Sequence, residues 1–474
     1  MRPTSKWLVA VPVCAGLVGL ALFCPILTGC GPRKSERGDG KASPAPPTPP
    51  TYGEKGPAGG PTGGRGPAGE RPPRSGEEPK SAKPPEAGPP KEGEAATGFD
   101  SAQVCDEPPG GVTRPAPAGS RFPVVVVGAN GDSYRKVTVF YATDREGTGP
   151  DRARTYASRQ REDTEGDIKQ GRGVEYGIVE VAIPWQRHRP GDLDEPGTLA
   201  LHPDDPTKYT TVLAAQRRDP ETFAALVAGD PMLKSGGDLL VFVHGYNVSF
   251  DAAARRTAQI LYDLSVAGAP VSAAMYDWSS HGEYRDYVAD THAVDGSAPR
   301  LAAFLRMLAQ QTTASRIHII AHSMGSQVAG KALAILGQTG GMPTKRRTFS
   351  TLVLAAPDIT TKLFAEEVYP SVMRLTDRRA IYASSKDWAL KASKQVADER
   401  ILGLGGGKVR IFTGIDTIDC SCLCGFFELG HSYFADKAQV LDDISDFVFG
   451  RKPIADRALH EVPCEAGKYW SFCP

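Results

Sequence analysis

A serine closes an apolar run in Ile317-His318-Ile319-Ile320-Ala321-His322-Ser323-Met324-Gly325-Ser326, with small residues two before it (Ala321) and two after it (Gly325). A serine hydroxyl is a weak nucleophile at neutral pH. It needs a base to take its proton and a carboxylate to hold that base. Past Ser323 the remaining histidines are His431 and His460. His431, in Gly430-His431-Ser432-Tyr433-Phe434, sits where a late loop would present it, whereas His460 follows the last helical pattern. Asp387 ends the segment Arg379-Ala380-Ile381-Tyr382-Ala383-Ser384-Ser385-Lys386-Asp387 and is the expected acid. Its rival is Asp358 in Ala355-Ala356-Pro357-Asp358. The structural alternatives are helix N-caps for Ser323 and Asp387.

These residues need elements to hold them. Expected strands are Val137 to Ala142, Tyr176 to Ile183, Asp238 to His244, Val271 to Tyr276, Ile317 to Ala321, Thr351 to Ala355, Ala380 to Ala383 and Val409 to Phe412. Several are continuous apolar runs, the mark of a parallel sheet covered on both faces. Helical spacing runs through Asp251 to Leu264, Leu301 to Leu308, Ser326 to Leu336 and Ala438 to Phe449. Strands alternating with helices give an α/β fold with a mostly parallel central sheet flanked by helices. The first two strands lack a helix between them and are expected to pair antiparallel at an edge.

On this scaffold Ser323 falls on a tight strand-to-helix turn, the nucleophile elbow of the α/β-hydrolase fold, whose usual pattern is G-x-S-x-G. Ala321 replaces the first glycine. The loop after the Leu239 to Val243 strand, His244-Gly245-Tyr246-Asn247, is then expected to supply one oxyanion N–H, from Tyr246 or its neighbour Gly245. Met324, after the nucleophile, supplies the other. His244 precedes the nucleophile in the chain and reads as a loop-shaping residue, and His322 reads as structural. Asp277-Trp278-Ser279-Ser280-His281-Gly282, with Tyr284 and Tyr287, either lines a pocket or packs on the surface.

Three stretches together resemble a known family: Phe242-Val243-His244-Gly245-Tyr246-Asn247-Val248-Ser249-Phe250, Ile320-Ala321-His322-Ser323-Met324-Gly325, and Gly430-His431-Ser432-Tyr433. They are similar to the bacterial α/β hydrolases of unknown function, the DUF900 family. Val139-Phe140-Tyr141-Ala142-Thr143-Asp144-Arg145 and Tyr176-Gly177 resemble the same family's first strands. The resemblance spans about Lys136 to Gly450 and implies a hydrolase with a Ser323, Asp387, His431 triad and no metal or organic cofactor. It names no substrate.

The rest of the 474 residues frames this domain. Lys plus Arg equals Asp plus Glu at 55 each, so net charge gives no pull toward nucleic acid. Leu404-Gly405-Gly406-Gly407-Lys408 lacks the spacing of a nucleotide loop. Near the N-terminus, Arg2 and Lys6 flank an apolar run from Trp7 to Leu27 that ends in Leu27-Thr28-Gly29-Cys30. This reads as an export signal with a lipobox (residues 1–30), lipidated at Cys30, or as an uncleaved membrane anchor. Residues 31–118 are rich in Pro, Gly, Lys and Glu and are expected to form a disordered tether. The hydrolase domain is placed at 119–450 and a tail at 451–474.

Beyond Cys30 lie Cys105, Cys420, Cys422, Cys424, Cys464 and Cys473, an even number suited to disulfides outside the cytoplasm. On a strand, Cys420, Cys422 and Cys424 would share one face, so a thiolate metal site and free thiols stand beside the disulfide reading. Bridged thiols would pin the loop of His431. Two functions follow. One is a membrane-held serine hydrolase acting on a small-molecule or lipid acyl substrate. The other is a binding or scaffold lipoprotein that keeps the fold without the chemistry.

Overall fold

The computed structural model describes residues 112–115, 124–127 and 133–474, apart from 197–199, 201, 267–269, 281–286, 340–347, 398–399 and 425–430. The expectations for residues 1–30, Cys30, Cys105, His281, Gly282, Tyr284 and Gly430 lie outside the described residues, as does nearly all of the tether. No helix among the described residues is long and apolar enough to cross a membrane.

The strands are β1 (Val112–Pro115), β2 (Val124–Val127), β3 (Ser133–Thr143), β4 (Arg145–Thr148), β5 (Thr155–Gln160), β6 (Glu175–Ile183), β7 (Thr211–Arg218), β8 (Asp238–Val243), β9 (Val271–Asp277), β10 (Ile317–His322), β11 (Phe349–Ala355), β12 (Thr376–Ala383), β13 (Asp416–Asp419), β14 (His460–Cys464) and β15 (Gly467–Ser471). All but β4 and β5 join one sheet. Its spine runs β3-β9-β8-β10-β11-β12-β13 with every pair parallel. The chain steps outward from β8 to β9, then returns across β8 to β10. The C-terminal ends of β8 and β10 therefore flank a topological switch point, where open α/β sheets bind their ligands.

Buried strands explain the unbroken apolar runs. Along β8, Leu240 and Phe242 face one core cluster, while Leu239, Val241 and Val243 face the other. The first core is closed by the helices Phe250–Val266 and Ala438–Val448, through residues such as Leu261, Ile444 and Phe447. The helices Tyr287–Gln311 and Gly325–Thr339 close the second, through Leu305, Phe304 and Val328. Each fully buried side chain of this kind contributes roughly 1.5–3 kcal/mol, so the spine is held rigidly from both faces.

Three features differ from the sequence reading. First, Val409 to Phe412 is not a strand. Phe412 packs its ring on Phe364 and Tyr369 at 4.9 and 5.4 Å, and the strand lies further on, at β13. Second, β3 and β6 do pair antiparallel, but neither forms the edge. β6 also pairs β7, and β3 joins β9. Third, Cys420, Cys422 and Cys424 do not alternate along a strand. Ser421–Leu423 is a 3-10 turn, and Cys422 bridges to Cys473 near the C-terminal hairpin β14–β15, which itself pairs with β13.

Candidate active site

The turn that carries Ser323 is strained and clamped. Ser323 has φ +52°, in the left-handed region that ordinary side chains avoid. Its N–H donates to the Ala355 carbonyl at 3.0 Å, and its carbonyl accepts from the Asp358 N–H at 3.1 Å. The end of β11 thus grips the turn from both sides. Gly325 is required on steric grounds, because a Cβ there would lie 2.1 Å from the His244 carbonyl oxygen. Ala321 sits fully buried inside β10, and its carbonyl accepts the Ser326 hydroxyl.

The three side chains singled out from the sequence meet at this turn. His431 Nε2 lies 2.7 Å from Ser323 Oγ, and His431 Nδ1 lies 2.8 Å from Asp387 Oδ2. A carboxylate only accepts, so Nδ1 carries the proton and Nε2 is left to accept from the serine hydroxyl. Asp387 is completely buried, and its other oxygen accepts the Leu390 N–H at 3.0 Å. The N-cap reading and the acid reading therefore both describe Asp387, one with each oxygen. Asp358 takes a different partner, as its Oδ1 accepts the Ser393 hydroxyl at 2.5 Å. For His431, burial works to lower the pKa. The charge of Asp387, its hydrogen bond and the charge of Asp358 outweigh burial and raise it above the ordinary histidine value.

His322 supports this arrangement without joining it. Its Nε2 donates to the His431 carbonyl at 3.0 Å, and its ring stacks on Phe434 at 4.5 Å. Burial above all, and then the neighbouring His431, press its pKa well below the usual value. A neutral imidazole there fixes the loop of His431 without adding charge.

The loop after β8 lies against Ser323. A Cβ at Gly245 would sit 2.8 Å from Ser323 Cβ, so only glycine lets the backbone approach this closely. Tyr246 follows on that loop, and Met324 stands directly before the helix Gly325–Thr339, whose N-terminal end favours developing negative charge.

Sequence reasoning missed what holds this loop. Arg145 is fully buried. Its Nε forks onto both oxygens of Asp277 at 2.8 and 3.0 Å, Nη1 reaches the Ser158 and Ser280 carbonyls, and Nη2 reaches the Val248 carbonyl at 2.6 Å. Asp277 also accepts the Thr143 hydroxyl and contacts His244 Nε2 at 3.0 Å. His244 stacks on Trp278, whose indole N–H donates to the His244 carbonyl. Burial would raise the Asp277 pKa. The Arg145 charge, with the His244 and Thr143 contacts, reverses that and holds the carboxyl below its usual range. The sequence signal was the arginine two residues past the end of β3, in the Thr143-Asp144-Arg145 stretch. Spacing alone gave no sign that its partner is 132 residues away.

The cysteine segment braces the loop of Asp387. The Cys420 N–H donates to the Ala383 carbonyl, the Ser385 N–H to the Ser421 hydroxyl, and Lys386 Nζ to the Cys424 carbonyl. Cys420 and Cys424 are buried free thiols, and Cys464 is an exposed one. Burial foremost pushes the Cys420 and Cys424 thiols up, which keeps them protonated and unreactive.

With this geometry in place, residues 227–448 match the model of the family described as "Alpha/beta hydrolase of unknown function (DUF900)". Over that segment the chain is similar to the DUF900 family. The match takes in the His244 loop, Ser323, Asp387 and His431, while Arg145 lies before it. Several solved structures show similarity to the chain. A predicted CIB-like hydrolase from Thermoplasma acidophilum is 14% identical over 45% of this chain and 86% of its own, at TM-score 0.26. An acetylxylan esterase is 11% identical over 44% of this chain and 98% of its own, at TM-score 0.26. MenH from S. aureus is 12% identical over 45% and 92%, at TM-score 0.23. No curated protein matches the chain. The DUF900 segment has the α/β-hydrolase fold, as the sequence resemblance implied.

Proposed function

We propose that this protein is a serine hydrolase that cleaves an ester, thioester or amide through an acyl-enzyme. The reading rests on one observation, the hydrogen-bonded chain from Ser323 Oγ through His431 to buried Asp387. Ser323 Oγ attacks the acyl carbon while His431 Nε2 takes its proton. The carbonyl oxygen gains negative charge and is held by the N–H groups of Tyr246 or Gly245 and of Met324. His431 then returns the proton to the leaving group, and the acyl group stays on Ser323. Water, deprotonated by the same histidine, releases the acid and restores the serine. Asp387 holds the imidazole tautomer and stabilises the cation formed in each half. The N-terminal lipobox or anchor would hold the enzyme on the extracytoplasmic side of a membrane, within reach of small-molecule or lipid acyl substrates.

Hydrolysis of p-nitrophenyl butyrate tests this directly. His431 must be neutral to accept the serine proton, and its pKa is raised. kcat/KM therefore rises with pH through a midpoint above the ordinary histidine value of about 6.5. A burst of nitrophenol equal to the enzyme concentration accompanies acyl-enzyme formation if deacylation is slower. A pH-independent rate, equal in the Ser323→Ala variant, would remove the proposal.

A further inference from the structure

We propose that the surface around Trp388 docks on an anionic phospholipid membrane, with a headgroup phosphate seated between Lys391 and Lys408. Trp388 is 57% exposed, the one exposed large apolar side chain among the described residues. Lys391 Nζ sits 4.3 Å from its ring centroid. An indole beside ammonium groups is suited to the headgroup level of a bilayer, where the ring enters the interface and the cations meet phosphate.

A second observation lies beside it. A cavity of about 270 Å³ is lined by Ser385, Lys391, Leu404, Gly405, Gly407 and Lys408. Two ammonium groups, a hydroxyl and glycine backbone make it a site for an anion. Gly405 belongs there because a Cβ would come 2.5 Å from Asp419 Oδ1 and 3.0 Å from the Ser384 backbone. Asp419 lies buried behind the loop and accepts the Gly406 N–H at 3.1 Å, so its charge is turned inward. Neither the helix Trp388–Ala397 nor the loop from Gly403 to Lys408 contains an acidic residue, while together they carry Lys391, Lys394 and Lys408. The helix buries Leu390 and Ser393 and leaves Trp388 outward. The charges within the helix and this loop are thus all positive and complement an anionic surface. A zwitterionic bilayer presents phosphate but lacks the negative surface potential that would draw the lysines to it.

The position gives the docking a consequence. Trp388 directly follows Asp387, and the patch and Ser323 both follow the C-terminal ends of parallel strands, β12 and β10. A membrane met by Trp388 would therefore lie at the edge of the sheet that carries the triad. The inference does not depend on catalysis, and a Ser323→Ala chain is expected to dock as the unaltered chain does.

The test uses the full chain with Trp7→Phe, so that the N-terminal apolar run contributes no indole. It is reconstituted into vesicles of acyl-brominated phosphatidylcholine, with or without phosphatidylglycerol. Trp278 and Trp470 are buried and Trp185 partly so, which leaves Trp388 as the indole open to the lipid. The expected result is loss of the Trp388 emission in the anionic vesicles, at low ionic strength, and little loss in the neutral ones. Trp388→Phe removes the loss. Lys391→Glu with Lys408→Glu weakens docking by more than about tenfold, and added salt does likewise. Equal quenching in neutral vesicles, or quenching that survives Trp388→Phe, overturns the proposal. So does the absence of quenching in the anionic vesicles.

Discussion

Asp387→Asn lowers kcat on an acyl ester by about ten-thousand-fold, while Asp358→Asn lowers it by less than about tenfold. The difference follows from which oxygen faces the imidazole. Asp387 Oδ2 receives His431 Nδ1–H, and an asparagine there presents either a neutral oxygen or an N–H that forces the wrong tautomer. Asp358 accepts the hydroxyl of Ser393, and its charge contributes to the raised pKa of His431 after Asp387. Removing that charge is expected to shift the lower limb of the pH profile toward acid and to leave the plateau nearly unchanged. Ser323→Ala and His431→Ala fall to the same floor as each other and do not add, because the three groups act as one device. Steady-state kinetics with circular dichroism as a folding control checks the set. Equal losses for the two aspartate variants would reassign the acid.

Arg145→Met destabilises the domain by about 3–5 kcal/mol, which is the usual consequence of leaving a buried carboxylate without its cation. Asp277 is fully buried, and its depressed pKa depends chiefly on Arg145 once burial is overcome. The same guanidinium gathers backbone carbonyls from the loop after β8, from β5 and from the loop after β9, so its loss unfastens three segments together. Thermal unfolding is expected to move down by about 10 °C on the ordinary scaling for a domain of this size. The double variant Arg145→Met with Asp277→Asn is expected to be less destabilised than the sum of the single ones, since the second change removes the stranded charge. A melting temperature unchanged in Arg145→Met would show that the buried pair holds nothing. Where the variant stays folded, kcat falls more than KM changes, because Gly245 and Tyr246 lose their fixed place beside Ser323.

The parts of this molecule that were legible in the sequence are those governed by local patterns. Runs such as Leu239 to Val243 and Ile317 to Ala321 lie buried on both sides, and that burial is what makes them continuous. The small-x-Ser-x-Gly frame follows from a clash that can be named, a Cβ at position 325 against the His244 carbonyl. The order of serine, acid and histidine singled out three side chains that meet within hydrogen-bond distance.

What was not legible depends on distant partners. Val409 to Phe412 has strand composition, yet Phe412 is claimed by the rings of Phe364 and Tyr369. Asp416–Asp419 forms the strand although it begins and ends in aspartates. Asp419 tolerates its place because its oxygens accept from Gly406 and Ser421. The pairing of Cys422 with Cys473 needs the hairpin to be laid against β13, and no spacing rule reports that. The buried Arg145 reads in sequence as one more surface charge, because its acceptors come from three separate stretches of chain.

The central claim is that Ser323 is a nucleophile primed by His431. Labelling the protein with a fluorophosphonate and locating the adduct by mass spectrometry tests it most directly. The account predicts a single adduct on Ser323, formed within minutes at neutral pH, absent in Ser323→Ala and slowed by orders of magnitude in His431→Ala and Asp387→Asn. A folded protein that does not label, or one that labels equally well without His431, would contradict it.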